Sequence, residues 1–226
     1  GYAPRLVALL ALGGLQGVFG WYMVASGLNT EMTDVSHLWL SVHLLTALFT
    51  LAGLVWTARD LLLLARDPGA RPARLTGLAA IAGLVLFVQL LLGAWTAGLN
   101  AGLASDTWPT MYGRWIPELS FAQGWLWTLT HDPFLIHWLH RWWAWVALAA
   151  LVVLARAVLR RGDRPASLAI NAIVGVQIVL GIATVLSGVA LWLAVAHQLV
   201  GALLVAATAW AAHRLGQRPA APPSPR

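Results

Sequence analysis

Histidine is the residue with chemistry to offer in this chain. Seven occur, His37, His43, His131, His137, His140, His197 and His213. Cys is absent, which excludes disulfides, thiolate nucleophiles and cysteine-ligated metals. Three of the seven, His43, His140 and His197, fall well inside long apolar stretches, where ligating or ionisable side chains are costly and mark functional sites. His43 stands six residues into its stretch, His140 seven residues after Pro133, and His197 seven residues into the last stretch. At 1.5 Å per residue all three sit at one level, about 10 Å in from the same end. Neutral imidazole ligates haem iron well, and two helices that present His at equal depth can hold one iron from both faces. His140 and His197 are the candidate axial pair, and His43 is a third candidate metal ligand. The plainer alternative for each is a His bonded to a neighbouring carbonyl or hydroxyl.

The other four carry less. His37 and His131 read as ordinary interfacial residues, and His213 marks the end of the last stretch. His137 shares a helix face with His140 three residues on, which suits a supporting or redox role. Arg141 follows His140 directly. A guanidinium there could clamp a haem propionate, or simply snorkel to the interface. The 14 Trp, among them Trp21, Trp39, Trp108, Trp115, Trp125, Trp127, Trp138 and Trp192, read mainly as an aromatic belt. Glycines such as Gly13, Gly14 and Gly98 read as points of close helix packing. No phosphate-cradling loop, Ser/His/Asp set or buried carboxylate pair is visible, so hydrolase and proton-pump readings lack residues.

The elements that must position these histidines are membrane spans. Of 226 residues 60% are hydrophobic and 10% charged, against roughly 25% charged in soluble domains; mean hydropathy is +0.75. Six stretches reach the roughly 20 apolar residues a span needs: Leu6–Ser26, His37–Arg59, Leu75–Leu99, Pro133–Val153, Ser167–Val189 and Ala190–Ala212. The fold class is thus all-α, a polytopic membrane bundle. Asp132-Pro133 predicts a capped helix start, and Ser187-Gly188 a tight turn between the last two spans. All 14 basic residues are Arg, and 12 of them lie on one side of the spans, which the positive-inside rule makes cytoplasmic along with both termini. The sequence pI near 11.3 therefore reflects topology, and no nucleic-acid partner is expected. The Lys-free, Ala- and Arg-rich composition points to a GC-rich bacterium and its inner membrane.

A repeat organises the spans. Gln16, Gly20, Ser26 and Gly27 in the first recur as Gln177, Gly181, Ser187 and Gly188 in the fifth, at the same offsets. Leu38-Trp39-Leu40-Ser41-Val42-His43 is answered by Leu191-Trp192-Leu193-Ala194-Val195-Ala196-His197. The first and last helix pairs are then copies, and the third and fourth spans have no counterpart. With no initiator Met, the expectation is an eight-helix parent of two four-helix halves whose first two helices are missing here. Residues 1–66 would be the back of the first half, 67–215 a complete second half, and 216–226 a disordered tail.

The residues resemble haem A synthase. The strings that carry the likeness are Leu15-Gln16-Gly17, Gly20-Trp21-Tyr22-Met23-Val24, Ser26-Gly27-Leu28, Ala97-Gly98-Leu99-Asn100-Ala101-Gly102 and Thr107-Trp108-Pro109 with Met111, Gly113 and Trp115-Ile116-Pro117. His140-Arg141 and Ala196-His197-Gln198 complete them, and together they extend across nearly the whole chain. The likeness is to the proteobacterial and mitochondrial branch without loop cysteines. It implies an eight-helix fold, a resident haem b on His140 and His197, and His43 facing the substrate, haem O. It also implies oxidation of a haem O methyl through an alcohol to the formyl of haem A, for cytochrome oxidase. The family's second substrate-side His, and a Glu three residues before it, would lie on the missing helix; His137 stands at the Glu position of this half, and Glu118 does not match that motif. The catalytic residues are thus unknown in this chain, which is expected to bind haem b and be inactive alone. Haem O synthase and cytochrome oxidase assembly factors are the implied partners, and homo-oligomerisation is left open. Two other readings share parts of the pattern. One is a membrane bis-histidine electron-transfer protein without methyl oxidation. The other is a haem-free transporter or assembly scaffold, weakened by the expected lack of buried Asp and Glu.

Overall fold

The computed structural model describes residues 2–27 and 34–218. Six long helices and one short one follow in order: α1 Ala3–Gly27, α2 His37–Arg66, α3 Gly77–Gly98, α4 Trp125–His131, α5 Pro133–Arg160, α6 Arg164–Leu186 and α7 Leu191–Leu215. The six long ones have 22 to 30 residues and are apolar enough to cross a membrane, since 22 residues at 1.5 Å each already reach about 33 Å. The predicted Asp132-Pro133 start is present: the Asp132 carboxylate accepts from the Leu135 amide at 2.8 Å and Pro133 opens the helix. So is the turn after α6, where Gly188 takes a φ of +63° and Val189 follows at +64°.

The helices pair in sequence. α1 packs on α2, α3 on α5, and α6 on α7; α5 also packs on α6, while α2 lies against both α3 and α7. Small residues make these approaches close, with Ala79, Ala82, Ala155, Ala166, Ala207 and Ala211 buried at the seams among Leu86, Leu151, Leu154, Ile170 and Leu204. α1 buries only Gly27 and keeps an apolar outer surface.

Two of the expected spans are longer than the hydropathy suggests. α2 continues from Arg59 to Arg66, and α5 from Val153 to Arg160. The reason is visible at the Arg-rich end, where charge is paired inside the fold. Asp60, 2% exposed, accepts from Arg5 Nη1 on α1 (2.6 Å), from the Ala73 amide (3.0 Å) and from His213 Nε2 on α7 (2.9 Å). His213 is fully buried, with its ring edge-on to Trp56. Asp163, also buried, caps α6 and pairs with Arg214. The expected lack of buried acids is therefore corrected. Both are structural anchors, each neutralised by partners from other helices. Of the segment expected as a disordered tail, Gly216–Arg218 is ordered: the Arg74 amide donates to the Gly216 carbonyl at 3.0 Å. Residues 219–226, and Glu31, lie outside the described residues.

Candidate functional site

Each paired set of helices repeats one device. On the first helix a Gln is followed four residues later by a Gly; on the second, a His packs over that Gly. The α3–α5 pair has Gln89, Gly93 and His140, and the α6–α7 pair has Gln177, Gly181 and His197. A Cβ added to Gly93 would stand 3.0 Å from His140 Cε1, and one added to Gly181 would stand 3.0 Å from His197 Cε1. Only glycine lets the imidazoles come so near the facing helix. The α1–α2 pair has Gln16, Gly20 and His43, where the added Cβ would be 3.4 Å from His43 Cε1, an ordinary contact. The third and fourth spans share this device with the two repeated pairs. Gln89 and Gly93 keep the four-residue spacing although the residues after them do not match.

Of the histidines, His140 and His197 are brought together. Their ring centroids are 6.5 Å apart with planes at 85°. A metal bound by two imidazole nitrogens at about 2 Å each would hold the ring centroids about 6 Å apart, so the gap admits one iron atom. Each ring has one nitrogen partnered by an amide. Gln89 Nε2 lies 3.1 Å from His140 Nδ1 and also donates to the His140 carbonyl at 3.2 Å; Gln177 Nε2 lies 3.3 Å from His197 Nε2. Several neighbouring polar atoms are buried without any partner among the described residues: His197 Nδ1, Gln89 Oε1 and Gln177 Oε1. Such atoms are costly in an apolar interior, and a ligand between the rings would give them a purpose.

The two rings border a cavity of about 470 Å³, within the range of cofactor pockets. Its walls include Leu44, Leu86, Leu90, Ile178 and Leu204, and toward the 99–124 loop it meets Asn100, Trp108 and Arg141. Among the described residues no group of three or more His, Asp or Glu could hold a bare metal ion. Two His suffice for haem, because the porphyrin brings four nitrogens of its own. The residues present therefore fit a bis-histidine haem.

Arg141 is 6% exposed and largely committed to the loop. Its Nη1 donates to the Thr107 carbonyl (2.8 Å), its Nη2 to the Ser105 carbonyl (3.0 Å) and its Nε to His137 Nε2 (3.0 Å), with Trp108 5.9 Å away below the guanidinium. Thr107 Oγ1 in turn donates to the Thr110 carbonyl and accepts from the Tyr112 amide, both at 2.8 Å. His137, 2% exposed, thus serves Arg141 and borders the cavity. Trp108 belongs to the cavity, while Trp21, Trp115, Trp125 and Trp192 stay exposed as a belt requires. His37 and His131 are more than interfacial residues. Their rings meet edge-on at 4.8 Å, His37 Nε2 donates to the Thr130 carbonyl at 3.0 Å, and His131 stacks on Trp127. That cluster ties α4 to α2. His43 stands apart from the cavity, with its Nδ1 and both amide atoms of Gln16 buried without partners.

Sequence reasoning missed Gln89 and Gln177 as site residues. The signal was present in the Gln-x3-Gly spacing, which occurs once on each helix that faces a His.

Residues 1–209 match the profile of the COX15-CtaA family, described as cytochrome oxidase assembly protein. The chain belongs to this family. Among its relatives, the heme A synthase of Erythrobacter litoralis is 66% identical over 96% of this chain and 64% of its own length. That of Sphingopyxis alaskensis is 62% identical over 97% of this chain and 62% of its own, and that of Bradyrhizobium diazoefficiens 42% identical over 98% and 62%. No solved structure matches the chain. The chain thus spans under two thirds of the length of these relatives. Membership and the six apolar helices make it a multi-pass membrane protein.

Proposed function

We propose that this chain forms the haem-b-bearing part of a haem A synthase. His140 and His197 would hold the haem iron. The observation that carries the reading is the pair of facing rings 6.5 Å apart beside an apolar cavity. The relatives' shared name supports the activity: oxidation of the haem O methyl group, through an alcohol, to the formyl group of haem A.

When bound, haem b supplies one-electron exchange at its iron, the route by which electrons would leave the substrate side. This chain's own residues do the rest. Leu44, Leu86 and Ile178 would keep water from the cavity, and Arg141 pins the Ser105–Thr110 segment beside Trp108 at its edge. The remaining Nη2 hydrogen of Arg141 is the one left to meet a propionate. Residues 67–215 make up most of this haem unit, with Leu44 and Leu48 of α2 closing one wall. Residues 1–66 contribute His43 to the substrate side. α1 brings neither a His nor a carboxylate to His43, so these six helices by themselves bind haem b without turning over haem O. The Arg-rich end faces the cytoplasm of a bacterial inner membrane, by the positive-inside rule. Haem O synthase and cytochrome oxidase assembly factors are the fitting partners.

The test is the reduced-minus-oxidised spectrum with pyridine haemochrome quantitation on the purified chain. One haem b per chain is expected, lost in both His140→Ala and His197→Ala. A folded, colourless wild type would refute the reading, and haem A formed from added haem O by this chain alone would refute its inactivity.

A further inference from the structure

We propose that Gln89 and Gln177 are positioning residues for His140 and His197, fixing each ring's orientation and placing its proton on the nitrogen away from the iron. The inference rests on the haem reading above and adds residues that reading does not need.

Three observations carry it. First, the Gln stands four residues before the glycine on both helices that face the ligands, α3 and α6, and each amide lies within 3.3 Å of the ring nitrogen it serves. Second, the glycine leaves room for the ring, since a Cβ there would stand only 3.0 Å from the ring's Cε1, so the imidazole sits close against the facing helix as well as the amide. Third, Oε1 of both glutamines is buried without a partner. An imidazole that gives one nitrogen to iron carries its proton on the other, and that N–H needs an acceptor. Half a turn of the Gln177 amide exchanges its oxygen and nitrogen at almost no steric cost and brings the unpartnered oxygen to the ring; at Gln89 the same turn also gives up the 3.2 Å bond from Nε2 to the His140 carbonyl. In a dry interior that bond is worth more than in water, since no solvent competes for the N–H. Accepting the proton raises the basicity of the ring and favours the ferric state.

The same device recurs on the α1–α2 pair, where Gln16 and His43 flank Gly20, and both Gln16 amide atoms and His43 Nδ1 are buried without a partner among the described residues. Gln16 belongs to His43, away from the haem b cavity, and so provides an internal control.

The experiment is a haem titration and a redox titration on the purified chain for wild type, Gln89→Leu, Gln177→Leu, Gln177→Glu and Gln16→Leu. In both Gln89→Leu and Gln177→Leu, haem affinity should fall about tenfold to a hundredfold, the usual cost of a lost outer-sphere partner, and the midpoint potential of retained haem should rise. Gln177→Glu, which keeps an acceptor and adds charge, should hold affinity and lower the potential. Gln16→Leu should leave both readouts at wild-type values. A merely structural Gln would cost stability without moving the potential. Wild-type affinity and potential in Gln89→Leu and Gln177→Leu, or an equal shift in Gln16→Leu, would overturn the proposal. If wild type binds haem that is lost in His140→Ala and His197→Ala while the Gln variants are silent, only this inference fails. If wild type binds none, the haem reading fails with it.

Discussion

Two buried polar clusters in this bundle are built in opposite ways. At the Arg-rich end, the Asp60 carboxylate meets Arg5, the Ala73 amide and His213, so both of its oxygens are satisfied by protein. In the middle of the bundle, His140 and His197 face each other across a cavity, and His197 Nδ1, Gln89 Oε1 and Gln177 Oε1 have no protein partner. Both clusters place polar groups where burial is expensive. The first recovers the cost of the carboxylate within the fold, although His213 Nδ1 has no partner among the described residues, and so reads as a fastening between α1, α2 and α7. The second leaves unpartnered atoms beside a cavity and a facing His pair, and that combination suits a site shaped for something other than protein. A histidine's sequence neighbourhood does not separate these cases; whether its ring borders a cavity, as His140 and His197 do, or a carboxylate, as His213 does, separates them.

That contrast is open to direct attack. The largest effect on stability is expected at the fastening. Asp60→Ala leaves His213 and Arg5 without their carboxylate and should cost about 3–5 kcal/mol, read as a lower unfolding temperature in detergent. Haem bound per folded chain should not change; a selective loss of haem would blur the distinction. Next is Arg141→Met, which removes the donors to Ser105 and Thr107. Hydrogen bonds from a charged group are worth about 1.5–3 kcal/mol, so a loss of about 2–3 kcal/mol is expected together with faster proteolysis between residues 105 and 115. An intact loop would contradict the role given to Arg141. Gly181→Ala and Gly93→Ala come third. Each added methyl meets a ring carbon at 3.0 Å, and overpacking of that kind costs about 1–3 kcal/mol, seen as roughly tenfold weaker haem binding. Smallest is Gly20→Ala, where the contact is 3.4 Å; haem b binding should be unchanged and stability altered by less than about 0.5 kcal/mol. If Gly20→Ala weakened haem b as much as Gly181→Ala, His43 and its glycine could not be held apart from the haem b cavity.

Much of the scaffold was legible in the residues. All six spans, the Asp132-Pro133 start and the Ser187-Gly188 turn follow from hydropathy and backbone chemistry, which act locally. The ends of α2 and α5 did not, because Arg59, Asp60 and Arg156 read as the exit from the membrane. Asp60 is instead enclosed by partners 55 and 153 residues away in sequence, which no local pattern reveals. For the site, equal depth singled out His43, His140 and His197, and the structure brings the last two together with ring planes at 85° while His43 stands apart. Their glutamines were overlooked for a different reason. The repeat was sought as a full string, and α3 keeps only the two positions that touch His140. Short α4 was hidden as well, since Trp125–His131 is held by His37 and Thr130 rather than by its own apolar length.

The central claim is that His140 and His197 share one iron. Near-infrared magnetic circular dichroism of the oxidised, haem-loaded chain tests it most directly, because the band position reports both axial ligands. A single low-spin bis-imidazole species is predicted, turning high-spin in His140→Ala and in His197→Ala alike. A wild-type spectrum of any other ligand pair, or a bis-imidazole spectrum that survives either substitution, would contradict it.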